Sequence, residues 1–90
     1  MAVAVHINPH QMSRADYDRV VSELHASGDG DPEGRRVHAA YGEDQVHMFE
    51  VWDSREQFDA HSQRLFGLLA DAGLDPGIVE VHPLHSAPPD

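Results

Sequence analysis

The stretch 46–73, VHMFEVWDSREQFDAHSQRLFGLLADAG, runs from a strand straight into a capped helix. Residues Gln45 to Trp52 are rich in β-branched and aromatic side chains and read as a strand. Ser54 with Gln57 three residues on forms a capping-box signature, and Gly73 is the expected helix stop. Between them Phe58, Leu65, Leu68, Leu69 and Ala72 make an apolar stripe at helical spacing. Glu50, Trp52 and His61 occupy the strand, the junction and the stripe, and so mark a candidate pocket.

Working outward, Ala2 to Asn8 is short, valine-rich and closed by Pro9, which predicts a first strand. Ser13 and Asp16 then suggest an N-cap, Met12 and Tyr17 are spaced as a hydrophobic staple, and Tyr17, Val20, Val21 and Leu24 share one helical face. The spacing predicts a helix from Ser13 to Ala26. After the polar loop Ser27 to Gly34, Arg35 to Tyr41 and Gln45 to Trp52 form a hairpin joined by Gly42, Glu43 and Asp44. A turn at LDPG precedes a last strand, Ile78 to Leu84, and residues 86–90 form a proline-bearing tail expected to be loose. The order strand, helix, strand, strand, helix, strand predicts one α+β ferredoxin-like domain over residues 1–85, with a four-stranded antiparallel sheet.

Two helices cover one face of such a sheet. Sorting the strands by residue parity collects Val3, Val5, Ile7, Val37, Ala39, Tyr41, Phe49, Val51, Val79 and Val81, with His47 as an exception, on one expected face. Ala4, His6, His38, Ala40, Met48, Glu50, Trp52, Glu80 and His82 fall on the other. Neither set resembles a solvated surface, so the sheet is expected to be covered twice, by its own helices and by a second copy in a homodimer. A chain of 90 residues buries only about 60 to 65% of its unfolded surface on its own, which points the same way.

Sixteen acidic against six basic residues give a net charge of -10, which opposes nucleic acid and anionic membranes as partners. Without cysteine there is no disulfide, thiolate metal site or thiol nucleophile. The beginning MAVAVHINPH lacks the features of a signal peptide and no apolar run reaches membrane-spanning length, so a cytoplasmic protein is expected.

The pattern VHAAYG with His38, then FEVWDS, REQFDAHSQRLFGLLADAG and a final VEVHPLH resembles the antibiotic-biosynthesis-monooxygenase-like group of the dimeric α/β-barrel superfamily. The resemblance spans nearly the whole chain. It implies two four-stranded sheets closed across a dimer, and a ligand cleft between each sheet and its helices, lined by Met48, Glu50 and Trp52. It also implies a cofactor-independent oxygenase or a related enzyme. The oxygenases place an amide near the tryptophan where this chain has Met48, and the heme-degrading members use a later helix histidine that is missing from residues 65–69.

From the residues themselves, His6, His38, Glu50, Trp52 and His82 are expected on one side of the sheet, facing His61. His38 with Glu50 suits abstraction of a phenol or enol proton, and Trp52 suits a planar ligand wall, with His6, Met48, His61 and His82 as further ligand contacts. No organic cofactor is implied. A second reading is a non-catalytic binding or assembly module whose histidines are held by hydrogen bonds and by Glu50. Eight histidines also raise a metal site built from His6, His38, Glu50 and His82, although no ligand motif supports one. The loop Asp29, Asp31, Glu33, Gly34 imitates a calcium loop but has Ala40 at the twelfth position and Pro32 inside it. Ser13 and Ser54 are caps rather than nucleophiles, and Arg35 with Arg36 is too small a pair for a nucleic-acid patch.

Overall fold

A computed structural model describes residues 1–86, so positions 87–90 of the expected tail lie outside the described residues. The elements are β1 (Val3–His10), α1 (Arg14–Ala26), β2 (Arg35–Tyr41), β3 (His47–Trp52), α2 (Arg55–Asp71) and β4 (Asp75–Pro83). All neighbouring strands pair antiparallel in the order β2-β3-β1-β4, giving the ferredoxin-like α+β architecture. Among the described residues no helix is long and apolar enough to cross a membrane.

The helix ends follow from their capping residues. Ser13 accepts from the Asp16 backbone N–H at 3.1 Å while the Asp16 carboxylate accepts from the Ser13 backbone N–H at 3.2 Å. Ser54 likewise accepts from the Gln57 backbone N–H at 3.2 Å. Both C-termini close in Schellman turns: Gly28 and Gly73 take positive φ, and the next residues, Asp29 and Leu74, donate back to the carbonyls of Leu24 and Leu69. Replacing Ser13 with alanine removes the hydroxyl half of the first box. It is expected to cost about 1 kcal/mol in chemical denaturation.

Two strands depart from their expected bounds. β1 continues through Pro9 to His10, because its register against β4 slips between Asn8 and His10 and a bulge accommodates a residue without an N–H. β4 begins at Asp75 rather than Ile78. It is an edge strand that tolerates Pro76, and Gly77 takes φ +68 with its α-carbon so close to the Asn8 carbonyl that no side chain would fit. β3 starts at His47, two residues later than expected, since Val46 instead donates its backbone N–H to the Met12 carbonyl.

The faces differ from the parity sorting. β1 and β3 are registered Val3↔Trp52, Val5↔Glu50 and Ile7↔Met48, so odd-numbered residues of β1 share a face with even-numbered residues of β3. The helices cover that face. Its core joins Val3, Val5, Ile7, Met48 and Trp52 to Met12, Val20 and Leu24 beside and on α1, and to Phe58, Leu65 and Leu69 on α2. His6 pairs with Phe49 and Glu80, and Ala4 with Val51 and His82, on the opposite face. That outer face also carries Val37, Ala39, Tyr41 and Ile78, of which Tyr41 is 49% and Ile78 61% exposed.

Candidate functional site

Glu50 lies at the centre of the helix-covered face and is 1% exposed. A carboxylate in that position is costly unless its oxygens are paired. The strands supply the partners. His38 stands directly opposite on β2 with Nδ1 2.5 Å from Oε2, and Trp52, two residues along on the same face, donates its Nε1–H to Oε1 at 2.9 Å. Arg35 reaches the cluster because the β2 register shifts between Arg35 and Val37, and this bulge turns Arg35 and His38 to one face although they are three residues apart. Its Nη1 lies 3.6 Å from Glu50 Oε2, and its Nη2 donates to the Gly30 carbonyl at 3.0 Å.

The other ring nitrogen of His38, Nε2, is 2.6 Å from the hydroxyl of Tyr17 on α1. With Glu50 ionised, Nδ1 carries a proton and donates to it, so the neutral imidazole presents Nε2 as acceptor for the Tyr17 O–H. Glu50, His38 and Tyr17 thus form a carboxylate, imidazole and hydroxyl in series, the arrangement used to orient a base and stabilise its protonated form. Burial alone would raise Glu50. The hydrogen bonds from His38 and Trp52, with the charges of Arg35 and of His38 when protonated, hold its carboxyl below the ordinary carboxylate value instead. Burial, reinforced by Glu50 and Asp18 and opposed by Arg35, raises Tyr17 above an ordinary phenol and keeps it protonated.

This series forms one wall of a cavity of about 120 Å³ between the sheet and the two helices. Met12, Val20, Val21, Leu24, Met48 and Leu65 supply its apolar lining. His61 of α2 also lines it, 6% exposed, with Nε2 buried and without a hydrogen-bond partner among the described residues. Burial depresses His61 below an ordinary imidazole despite the opposing pull of Glu50, so its ring is neutral at neutral pH. The exposed His25 closes the rim against Gly30, where a side chain would collide with its ring.

Of the residues expected from the sequence, His38, Met48, Glu50 and His61 meet at this cavity. His6 and His82 do not. His6 packs edge-on against Phe49 on the outer face at 5.5 Å, and the exposed His82 lies 3.9 Å from Glu80. The histidine set considered for a metal is therefore divided between two faces, and among the described residues no three His, Asp or Glu side chains cluster to hold an ion. Trp52 is also placed differently: it is fully buried outside the cavity lining, packed on Phe58 at 5.8 Å and on His61 at 5.3 Å. Its role is to hold Glu50 and His61 from behind. The sequence pattern does not place Tyr17 and Arg35 in the site. Tyr17 belongs to the staple and the helical face, which are signals for packing, and Arg35 reaches the site through a bulge that alternation does not reveal.

No protein-family model matches the sequence, and no curated protein matches it significantly. Solved structures do match. A Nitrosomonas europaea protein of unknown function, NE2512, is 16% identical with a TM-score of 0.63, over 99% of this chain and 92% of its own. A Deinococcus radiodurans protein described as a candidate antibiotic biosynthesis monooxygenase is 10% identical with a TM-score of 0.62, over 100% and 98%. SnoaB, a cofactor-independent oxygenase from Streptomyces nogalater, is 14% identical with a TM-score of 0.59, over 99% and 96%. The fold is thus shared with the monooxygenase-like group that the sequence motifs resemble.

Proposed function

We propose that this chain is a small, cytoplasmic, homodimeric enzyme that removes a proton from an aromatic or enolisable metabolite, in the manner of a cofactor-independent oxygenase. The observation that carries this reading is the series Glu50, His38, Tyr17 at the wall of a mainly apolar cavity. A substrate hydroxyl bonded to the Tyr17 oxygen passes its proton to that oxygen as the Tyr17 proton moves to His38 Nε2. Glu50 stabilises the imidazolium that results. The substrate is left as a phenolate or enolate, the electron-rich form that reacts with dioxygen. Tyr17 ends the step as the neutral phenol that its raised pKa favours.

Oxygen uptake with a panel of hydroxyaromatic and enolisable compounds tests the reading. His38→Gln is expected to lower kcat about 100-fold or more and Tyr17→Phe to lower it less, with both variants folded. Wild-type protein that consumes no oxygen with any of them, or variants as active as wild type, would overturn it.

The dimer is supported by the outer sheet face, where Val37, Phe49, Tyr41 and Ile78 lie without cover from the chain's own helices. Light scattering at micromolar concentration is expected to give twice the chain mass of 10.0 kDa. A monomer would remove this part of the proposal.

A further inference from the structure

Two features of the cavity restrict what it can hold, and this inference rests on the reading of it as the substrate site. The first is size. A dry protein cavity of about 150 Å³ accommodates benzene, and this one measures about 120 Å³, bounded by Val20, Leu24, Met48 and Leu65, which are themselves buried. Space of that order matches a single ring, and a fused polycycle would have to extend out past His25 at the rim. The second is the pattern of polar groups. Glu50 is satisfied by His38 and Trp52, and Arg35 is engaged by Gly30 and Glu50. What remains for a ligand is the Tyr17 oxygen, which can accept, and Nε2 of His61, which has no partner among the described residues. A buried polar atom without a partner costs about 1–3 kcal/mol, so a ligand that pairs with it is favoured. A hydroxyl group suits His61 in either tautomer, because it can donate to a bare Nε2 or accept from Nε2–H. The charges of Arg35 and Glu50 balance locally, so nothing here calls for a charged ligand.

We infer that the site selects a neutral single-ring compound with two oxygen substituents, the benzenediol class, holding one oxygen at Tyr17 and the other at His61 Nε2. His61 is then the residue that determines specificity, while the His38 relay acts at the other oxygen.

The chain's single tryptophan, Trp52, packs against the His61 ring at 5.3 Å and provides a reporter. Its emission can be followed while catechol, resorcinol, hydroquinone and toluene are titrated into wild type, His61→Phe and Val21→Phe, with 1,8-dihydroxyanthraquinone binding measured by calorimetry. Wild type is expected to bind at least one benzenediol more tightly than toluene and not to bind the anthraquinone. His61→Phe keeps an aromatic ring against Trp52 and should weaken the best diol about three- to tenfold while leaving toluene unchanged. Val21→Phe fills the cavity from a half-buried position and should abolish binding of both. If His61→Phe fails to fold, His61→Gln, which retains a donor and an acceptor, should preserve the preference for diol over toluene. The inference falls if the anthraquinone binds as tightly as the diols, if no diol is preferred over toluene, or if His61→Phe leaves that preference intact. Diol binding without oxygen uptake would leave it standing and sink only the oxygenase reading.

Discussion

Trp52→Ala is expected to lower the free energy of unfolding by about 3–5 kcal/mol, the cost of truncating a large aromatic residue in a packed core. The ring is fully buried and touches both Phe58 and His61 of α2, so its loss opens space between sheet and helix. It also withdraws the indole donor from Glu50 Oε1, leaving a buried carboxylate oxygen short of a partner. Against the 5–15 kcal/mol available to a domain of ordinary stability, roughly a fifth or more of the total disappears. Urea denaturation followed by circular dichroism measures the change. Trp52→Phe separates the two contributions, because it keeps an aromatic ring and removes only the N–H and the indole's extra bulk. It should lie between wild type and alanine. A Trp52→Ala protein within 1 kcal/mol of wild type would show that the indole does not hold this core together.

The same residue shows how far the sequence could be read. Caps, stripes and glycine stops are local, and each of them is local in the structure: Ser13 with Asp16, Ser54 with Gln57, Gly28 and Gly73 in their turns. These signals determine the order of elements and hence the fold. The site depends on which strand faces coincide, and alternation gives that only within a strand. Across strands it is set by register, and the β1 to β3 register joins odd to even positions. Sorting by number alone therefore put Trp52 and Met48 with His6 and His82, and separated them from Val3 and Ile7, with which they pack. A buried Glu50 is tenable on that apolar face because its oxygens have partners. Those partners come from a cross-strand pair, a bulge and a neighbour two residues along the same strand, and Tyr17 joins only through His38, 21 residues away in sequence. The pairing of His38 with Glu50 was accessible, because both lie at matching places in a hairpin. Tyr17 could have been found only by asking which residue of the first helix looks down on that hairpin.

Replacing Glu50 should produce the second large effect, and one that depends on pH. Glu50→Ala removes the carboxylate that His38, Trp52 and Arg35 converge on, and breaking such a buried network from one side costs about 3–5 kcal/mol. Glu50→Gln keeps the shape and one acceptor oxygen and should cost less, yet it removes the charge that favours protonated His38, so turnover should fall with it. The sign of the pH effect follows from the lowered Glu50 pKa. Between that lowered value and the unfolded value of about 4.3, the unfolded chain binds a proton that the folded chain refuses. Unfolding free energy therefore rises with pH across this window. The stabilisation is fully present above the unfolded value and is lost as pH falls through the folded one. His61 acts in the same direction at higher pH, because its depressed pKa lets the unfolded chain take up a proton first below about pH 6.5. Urea titrations of wild type and Glu50→Gln at neutral pH and below pH 4 should show wild type losing its advantage in acid, with the two curves converging. If the difference between them stays constant from neutral pH into acid, Glu50 is not an ionised partner of His38 in the folded protein, and the proton relay through Tyr17 loses its anchor.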